Sequence, residues 1–322
     1  MNKKEIVIGI DIGGTNTDFA FVDKKGTCYL KNNIRTDKYP DIDTFLDELC
    51  LELKKGITAL KKEFSTVSIG IGAPNGNFYT GNIQFAPNLK WKGCIPLVKM
   101  VEEQMSLPVV LTNDANAAAY GEMIYGAAKG MKDFIVITLG TGLGSGIVIN
   151  GEMVYGHDGF AGELGHTTVI PNGRACGCGK KGCLETYASA SGIVRTMHEI
   201  LNMRKEDSLL RKKDLNKLTS QEIYIAAKKG DMLALEAFEI TGEYIGMKLA
   251  DAVAFSSPEA IILFGGLAKA GNYILNPVKK YMEQNLLSIY KNKVKLVLSD
   301  INNENAAVLG AAALGWEYLN KK

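Results

Sequence analysis

The chain has 322 residues, of which 46% are apolar and 22% charged, and a formal net charge of +2. That length supports two domains with sizeable cores, and the near-neutral charge provides no basic field for nucleic acid. The apolar run at the start is broken by Gly9 and Asp11, too short for a signal peptide or a membrane span, so the protein is expected in the cytoplasm with reduced thiols.

In chain order, Glu5 to Ile10 reads as an apolar strand, followed by DIGGTNT and a second apolar stretch, Phe19 to Val22, before the turn at Asp23 to Gly26. This is a hairpin with a glycine-rich tip. An amphipathic helix is predicted from Asp41 to about Phe64, then a buried strand from Val67 to Ile71 and a Gly/Asn/Pro-rich loop over Gly72 to Gly93. Another helix precedes the strand Val109 to Leu111. The segment NDANAAAYGE then starts an alanine-rich helix capped by Asn113 or Asp114.

The hairpin pattern returns at Phe134 to Leu139, GTGLGSG and Ile147 to Ile149, closed by a turn at Asn150 and Gly151. Two such hairpins suggest an internally duplicated α/β fold with mixed sheets. Helices dominate from about Leu184. Thr219 and Glu222 form a capping-box pattern, and a long helix is predicted from Asp231 to Phe255. Strand Ala260 to Phe264 ends at GGLAKAG, strand Val294 to Leu298 follows, and Asn305 to Leu319 reads as a terminal helix.

Between Gly162 and Glu185 the sequence places His166, Cys176, Cys178 and Cys183 among turn-forming residues. One imidazole and three thiolates make a complete tetrahedral set for Zn²⁺, with no position left for an activated water, so the metal would be structural. The alternative is a disulfide with a spare thiol, which needs an oxidising compartment. Glu163 and Glu185 flank these ligands and suit the vicinal hydroxyls of a sugar. His166 could bind metal through one ring nitrogen and offer the other to a hydroxyl.

The loop at Asp11 to Thr17 offers backbone N–H groups at Gly13, Gly14 and Thr15 and hydroxyls at Thr15 and Thr17, a nest suited to phosphate, with Asp11 available to Mg²⁺. The loop at Thr138 to Gly146, with Gly140, Thr141 and Gly142, repeats that chemistry. Gly265 and Gly266 follow a strand at its carboxyl end, where a nucleotide could lie. Each loop alone is as well explained by a tight hairpin turn. Neither a Rossmann GxGxxG nor a P-loop occurs. Asp114, at a strand-to-helix junction, reads either as a general base or as a helix N-cap.

The motifs DIGGT (11–15), NDANAAA (113–119), GTGLGSGIVING (140–151), GELGH (162–166), CGCGKKGCLE (176–185), FGG (264–266) and LGAA (309–312) together resemble the ROK family of sugar kinases and sugar-responsive repressors. The resemblance spans nearly the whole chain. It implies an actin-like, ribonuclease H-like duplicated fold with an interdomain active-site cleft, divided here as 1–116 plus 305–322 and 117–304. ATP and Mg²⁺ would be cosubstrates and Zn²⁺ structural. Asp114 would be the catalytic base, with Asn88, Asn113, Asp114, Glu163, His166 and Glu185 contacting the sugar. Asp11, Gly13, Gly14, Thr15, Asn16, Thr17, Gly140, Thr141, Gly142, Gly265 and Gly266 would line the nucleotide site.

The implied reaction is phosphorylation of glucose at O6. N-acetylmannosamine, N-acetylglucosamine, fructose, allose or mannose are alternatives within the family, and a non-catalytic sugar-binding regulator is an alternative outside enzymology. The family also implies a homodimer or a tetramer, while the charge balance and the lack of a spanning apolar stretch predict no nucleic-acid or membrane partner. Only about five residues precede the first strand, where repressors carry a DNA-binding domain. Two positions depart from the family pattern. Asn16 stands where Lys is frequent, and GAPNGN (Gly72 to Asn77) replaces GxPGxV.

Overall fold

Each of the two glycine-tipped hairpins opens a five-stranded sheet of its own. The computed structural model describes residues 3–301 and 306–320. Its first elements are β1 (Lys4–Ile12), β2 (Thr17–Val22), β3 (Cys28–Ile34), α1 (Ile42–Leu60), β4 (Phe64–Gly72), β5 (Ile83–Gln84), β6 (Cys94–Ile95), α2 (Leu97–Met105), β7 (Val109–Thr112) and α3 (Asp114–Tyr125). The chain continues through β8 (Phe134–Leu139), β9 (Leu143–Ile149), β10 (Glu152–Met153), α4 (Glu185–Ala188), α5 (Ala190–Met203), α6 (Ser220–Lys228), α7 (Met232–Ser256), β11 (Ala260–Phe264), α8 (Asn272–Asn285) and β12 (Lys295–Leu298). It ends in α9 (Ala306–Asn320).

Two compact units result: Met1–Gly130 with Met153–Ala161 and Asp300–Lys322, and Met131–Glu152 with Gly162–Ser299. The expected division at 116/117 would cut α3 within its first turn. Instead the whole helix belongs to the first unit, where it packs on α9. The expected 304/305 boundary, and Asn305 as the start of the terminal helix, lie outside the described residues.

The first sheet has the order β3-β2-β1-β4-β7, with β1 antiparallel to β2 and parallel to β4, and β4 parallel to β7. The second has the order β10-β9-β8-β11-β12, with β8 antiparallel to β9 and parallel to β11, and β11 parallel to β12. One connectivity is thus used twice. In the first unit Ile6, Ile8 and Ile10 pack with Phe45, Leu46, Leu49 and Leu53 of α1, while Gly9 on the opposite face meets the α9 backbone at Val308 and Ala312. Cover on both faces explains why β1 reads as a continuous apolar run rather than an alternating one. In the second unit Ile135, Ile137 and Leu139 of β8 share a core with Ile193 and Met197 of α5 and Ile245 and Leu249 of α7.

Several boundaries differ from the sequence expectation. Asp41 caps α1 by accepting the Thr44 N–H at 2.9 Å, but the helix ends at Leu60 because Phe64 opens β4 opposite Lys4. Strand β3 is mostly exposed and polar, so it carries no alternating signal. Helix α8 runs through Pro277, which packs against Gly242 of α7. Among the described residues no helix is long and apolar enough to cross a membrane.

Candidate active site and metal centre

In the first unit, β1 delivers Asp11 to the edge of the glycine loop. The loop closes on itself, with the Gly13 N–H donating to the Asn16 carbonyl at 2.9 Å. Gly13's N–H is therefore committed to the turn, and Gly14 and Thr15 are the loop's remaining candidates for an anion. Gly14 lies against the Asn88 backbone so closely that a Cβ there would come within 2.4 Å of the Asn88 carbonyl oxygen, which fixes Asn88 beside the loop. Asn16, in place of the frequent Lys, uses its backbone carbonyl for the turn.

Thr17 corrects the sequence reading. Its hydroxyl is buried and hydrogen-bonded to the buried Thr36 hydroxyl at 2.8 Å, so it braces the base of the hairpin instead of facing a phosphate. The choice between Asn113 and Asp114 as helix cap is also resolved. Asn113 caps α3 by accepting the Asn116 N–H at 2.7 Å, and Asp114 becomes the exposed first helical residue, with Oδ1 accepting the Ala115 N–H at 2.9 Å. Asp11 and Asp114 converge at Gly72. Asp11 Oδ1 and Asp114 Cα lie 3.8 and 3.9 Å from where a Gly72 side chain would begin. Burial, reinforced by the Asp114 and Asp18 carboxylates, raises the Asp11 carboxyl to about 7. Two carboxylates in one place suit a divalent cation.

The second loop, at Thr138 to Gly146, closes on itself through the Gly140 N–H and the Gly142 carbonyl at 3.0 Å and is also braced by other segments. The Gly144 N–H donates to the Thr138 hydroxyl at 3.1 Å and the Leu143 N–H to Glu185 Oε2 at 3.0 Å. The Gly140 and Thr141 carbonyls accept from the Ala190 N–H at 2.9 Å and the Ser191 hydroxyl at 2.8 Å. Gly142 sits so near Glu185 that a Cβ would come within 2.3 Å of its Oε2. Gly265 rests on the Leu139 backbone, which brings the third glycine pair to the base of this loop, and Gly266 borders open space.

The metal-ligand residues are assembled by short backbone pairings. An antiparallel bridge between Thr168 and Cys183 sets His166 near Cys183, and the Cys176 N–H donates to the Lys180 carbonyl across a tight turn that presents Cys176 and Cys178. His166, Cys176, Cys178 and Cys183 then place their ligand atoms all within 4.8 Å of one another. Cys178 and Cys183 Sγ are 3.7 Å apart, as are Cys176 Sγ and His166 Nδ1. A tetrahedral zinc with Zn–S bonds of about 2.3 Å requires S–S edges of about 3.8 Å, so the donors fit. All three cysteines are free thiols, and the disulfide alternative is not realised. The second ring nitrogen of His166, Nε2, lies 3.8 Å from Glu163 Oε2. Glu185 Oε1 is 3.9 Å from Cys176 Sγ, so its carboxylate spans from the cluster to the second glycine loop.

Sequence reading missed the supports. Asn77 of GAPNGN is buried. Its amide donates to the Asp158 carbonyl at 2.6 Å and its oxygen accepts the Tyr79 and Thr80 N–H groups, so the altered motif anchors the 153–161 segment. Ser189, Ser191 and Arg174 were missed too. A polar Ser-Ala-Ser break between helical stretches was the available signal for the serines.

A family model described as "ROK family" matches residues 7–317. A glucokinase of Halalkalibacterium halodurans is 39% identical over 313 residues, covering 96% of this chain and 93% of that protein. The xylose repressor of Bacillus subtilis is 30% identical over 97% of this chain but only 78% of its own length. Among solved structures, a ROK family glucokinase from Streptomyces griseus in complex with glucose and AMPPNP superposes with a TM-score of 0.82 at 34% identity, covering 97% of this chain and 99% of that one.

Proposed function

The chain belongs to the ROK family, and on that premise we propose that it is an ATP-dependent hexose kinase transferring the γ-phosphate of ATP to O6 of glucose. The observation that carries this reading is the near full-length match to a structure holding glucose and an ATP analogue. Asp114 is the general base. Asn113 takes the N-cap position, and the Asp114 carboxylate, at the exposed start of α3, accepts the proton of the attacking hydroxyl. Catalysis by such an enzyme rests chiefly on positioning and charge stabilisation, with the base as one contributor.

The sugar hydroxyls are bound by Asn88, Asn113, Asp114, Glu163, His166 and Glu185. The Gly14 and Thr15 N–H groups serve the phosphates, with Gly140, Thr141, Gly265 and Gly266 as further nucleotide contacts. Asp11 would hold Mg²⁺, which when bound neutralises charge on the transferring phosphate. His166, Cys176, Cys178 and Cys183 would hold Zn²⁺, whose closed coordination supplies scaffolding rather than an activated water. In this reading the enzyme is a cytoplasmic homodimer.

A coupled ADP-release assay over hexoses and N-acetylhexosamines tests the reading, with glucose expected to give the highest kcat/KM. A greater kcat/KM for N-acetylmannosamine, N-acetylglucosamine, fructose, allose or mannose would replace the substrate while keeping the reaction. Sugar binding without ADP release would favour the second reading, a sugar-responsive regulator, which the similarity to the xylose repressor supports.

A further inference from the structure

Helix α4 is only four residues long, and it begins with Glu185. So short a helix leaves its carbonyl groups without intrahelical donors, so its geometry depends on outside partners. At its start the partner is the metal loop: the Thr186 N–H and hydroxyl both donate to the Cys183 carbonyl, at 3.0 and 2.8 Å. On the carbonyl side of the same residue the partner is Arg174. Its Nη1 donates to the Thr186 carbonyl at 2.7 Å and to the Gly192 carbonyl of α5 at 3.2 Å.

The rest of the Arg174 side chain is equally committed. Nε and Nη2 form a two-pronged pair with Glu199 at 2.9 and 2.6 Å, and Nη2 also donates to the Thr196 hydroxyl at 3.0 Å. The guanidinium stacks on Tyr187 at 4.3 Å, whose hydroxyl accepts the Arg174 backbone N–H at 2.8 Å. The side chain is 11% exposed. A planar fork with fixed donors can satisfy two carbonyls and a carboxylate together, which a lysine cannot.

We propose that Arg174 is a positioning residue for Glu185, a second anchor of α4 that acts independently of the metal. Both anchors meet at Thr186, Cys183 on its N–H and hydroxyl and Arg174 on its carbonyl, and together they set the position of the preceding residue, Glu185. The inference rests on the reading that Glu185 contacts the sugar.

The test uses the full-length, metal-loaded protein as wild type and as Arg174→Met, Arg174→Lys, Glu199→Gln and Glu185→Gln. Glucose KM, kcat, bound metal and Tm are measured for each. Arg174→Met is expected to raise glucose KM at least about tenfold with stoichiometric metal and kcat within about threefold, because the charged hydrogen bonds of a largely buried guanidinium are lost. Arg174→Lys should recover only a minor part of that rise. Glu199→Gln, which leaves the carbonyl contacts in place, should raise KM by about two- to fivefold, and it serves if Arg174→Met fails to fold.

Glucose KM within twofold of wild type in the folded Arg174 variants and in Glu199→Gln, whatever the Tm, would overturn the proposal. Loss of metal in Arg174→Met in parallel with the KM rise would also overturn it, since the anchor would then act through the cluster. If Glu185→Gln leaves glucose KM unchanged, the sugar-contact reading itself has failed. If Glu185→Gln raises KM and the Arg174 variants do not, only the Arg174 proposal has failed.

Discussion

The two glycine-tipped hairpins share strand order and sense, and each closes on itself, but different neighbours brace them. In the β1–β2 loop Gly13 closes on Asn16, and the braces are Thr36 on Thr17, the Asp37 N–H on the Thr15 carbonyl and the Asn88 backbone on Gly14. In the β8–β9 loop the Gly140 N–H closes on the Gly142 carbonyl, and the braces are Glu185 and the Ala190–Ser191 start of α5. The duplicated backbone therefore serves two purposes. In the first unit the loop frames a pair of carboxylates, Asp11 and Asp114, whose mutual repulsion helps to raise the Asp11 carboxyl. In the second unit it is tied through Glu185 to the metal-ligand segment, so its shape depends on that segment's integrity.

The largest expected effect falls on the first unit. Asp114→Asn should lower kcat by about 10²- to 10⁴-fold, with Tm changed little, in steady-state kinetics. Near-normal turnover would remove Asp114 as the base. On the second unit, Cys178→Ser should lose bound metal, lower Tm by about 10 °C and raise glucose KM together, read by elemental analysis, calorimetry and kinetics. If metal and Tm fall while glucose KM stays fixed, the link between cluster and Glu185 is broken.

Asp11 sharpens the contrast through pH. Its folded value, about 7, lies above the ordinary 3.8, so folding favours the protonated acid. The favourable contribution is complete below about pH 4 and is lost as pH rises through 7. Asparagine resembles the protonated acid at every pH. In the metal- and nucleotide-free protein, Asp11→Asn should therefore match wild type near pH 4. At pH 8 it should be more stable, by on the order of 4 kcal/mol, while turnover falls when Mg²⁺ and ATP are supplied. Denaturant melts at the two pH values check this, and a pH-independent difference would contradict it. The smallest effect is expected at Thr17→Val, about 1 kcal/mol in stability for the lost hydroxyl pair, with ATP KM unchanged.

Much of this arrangement was legible in the sequence. The hairpins announced themselves because apolar strands end at glycine runs, and the metal-ligand set because its donors are close in sequence. The capping pairs Thr219 and Glu222 were also readable, since both partners lie within one turn. What was not legible depended on distant partners. Thr17 reads as a phosphate-facing hydroxyl until Thr36, from the turn after β3, is seen beside it. Helix α8 runs through Pro277 where Gly242 of α7 leaves room, a pairing that no local pattern marks. Asn77 and Arg174 carry no local signal of their roles, because their partners lie 81 and 25 residues away, at Asp158 and Glu199.

The central claim is that this chain moves a phosphoryl group from ATP to a hexose, with Asp114 taking the proton. It is tested most directly by incubating purified protein with γ-labelled ATP, Mg²⁺ and glucose, and separating the sugar products. The account requires label on glucose 6-phosphate at a rate that depends on the sugar and falls by two or more orders of magnitude in Asp114→Asn. Label appearing only as inorganic phosphate, at the same rate with or without sugar, would contradict it.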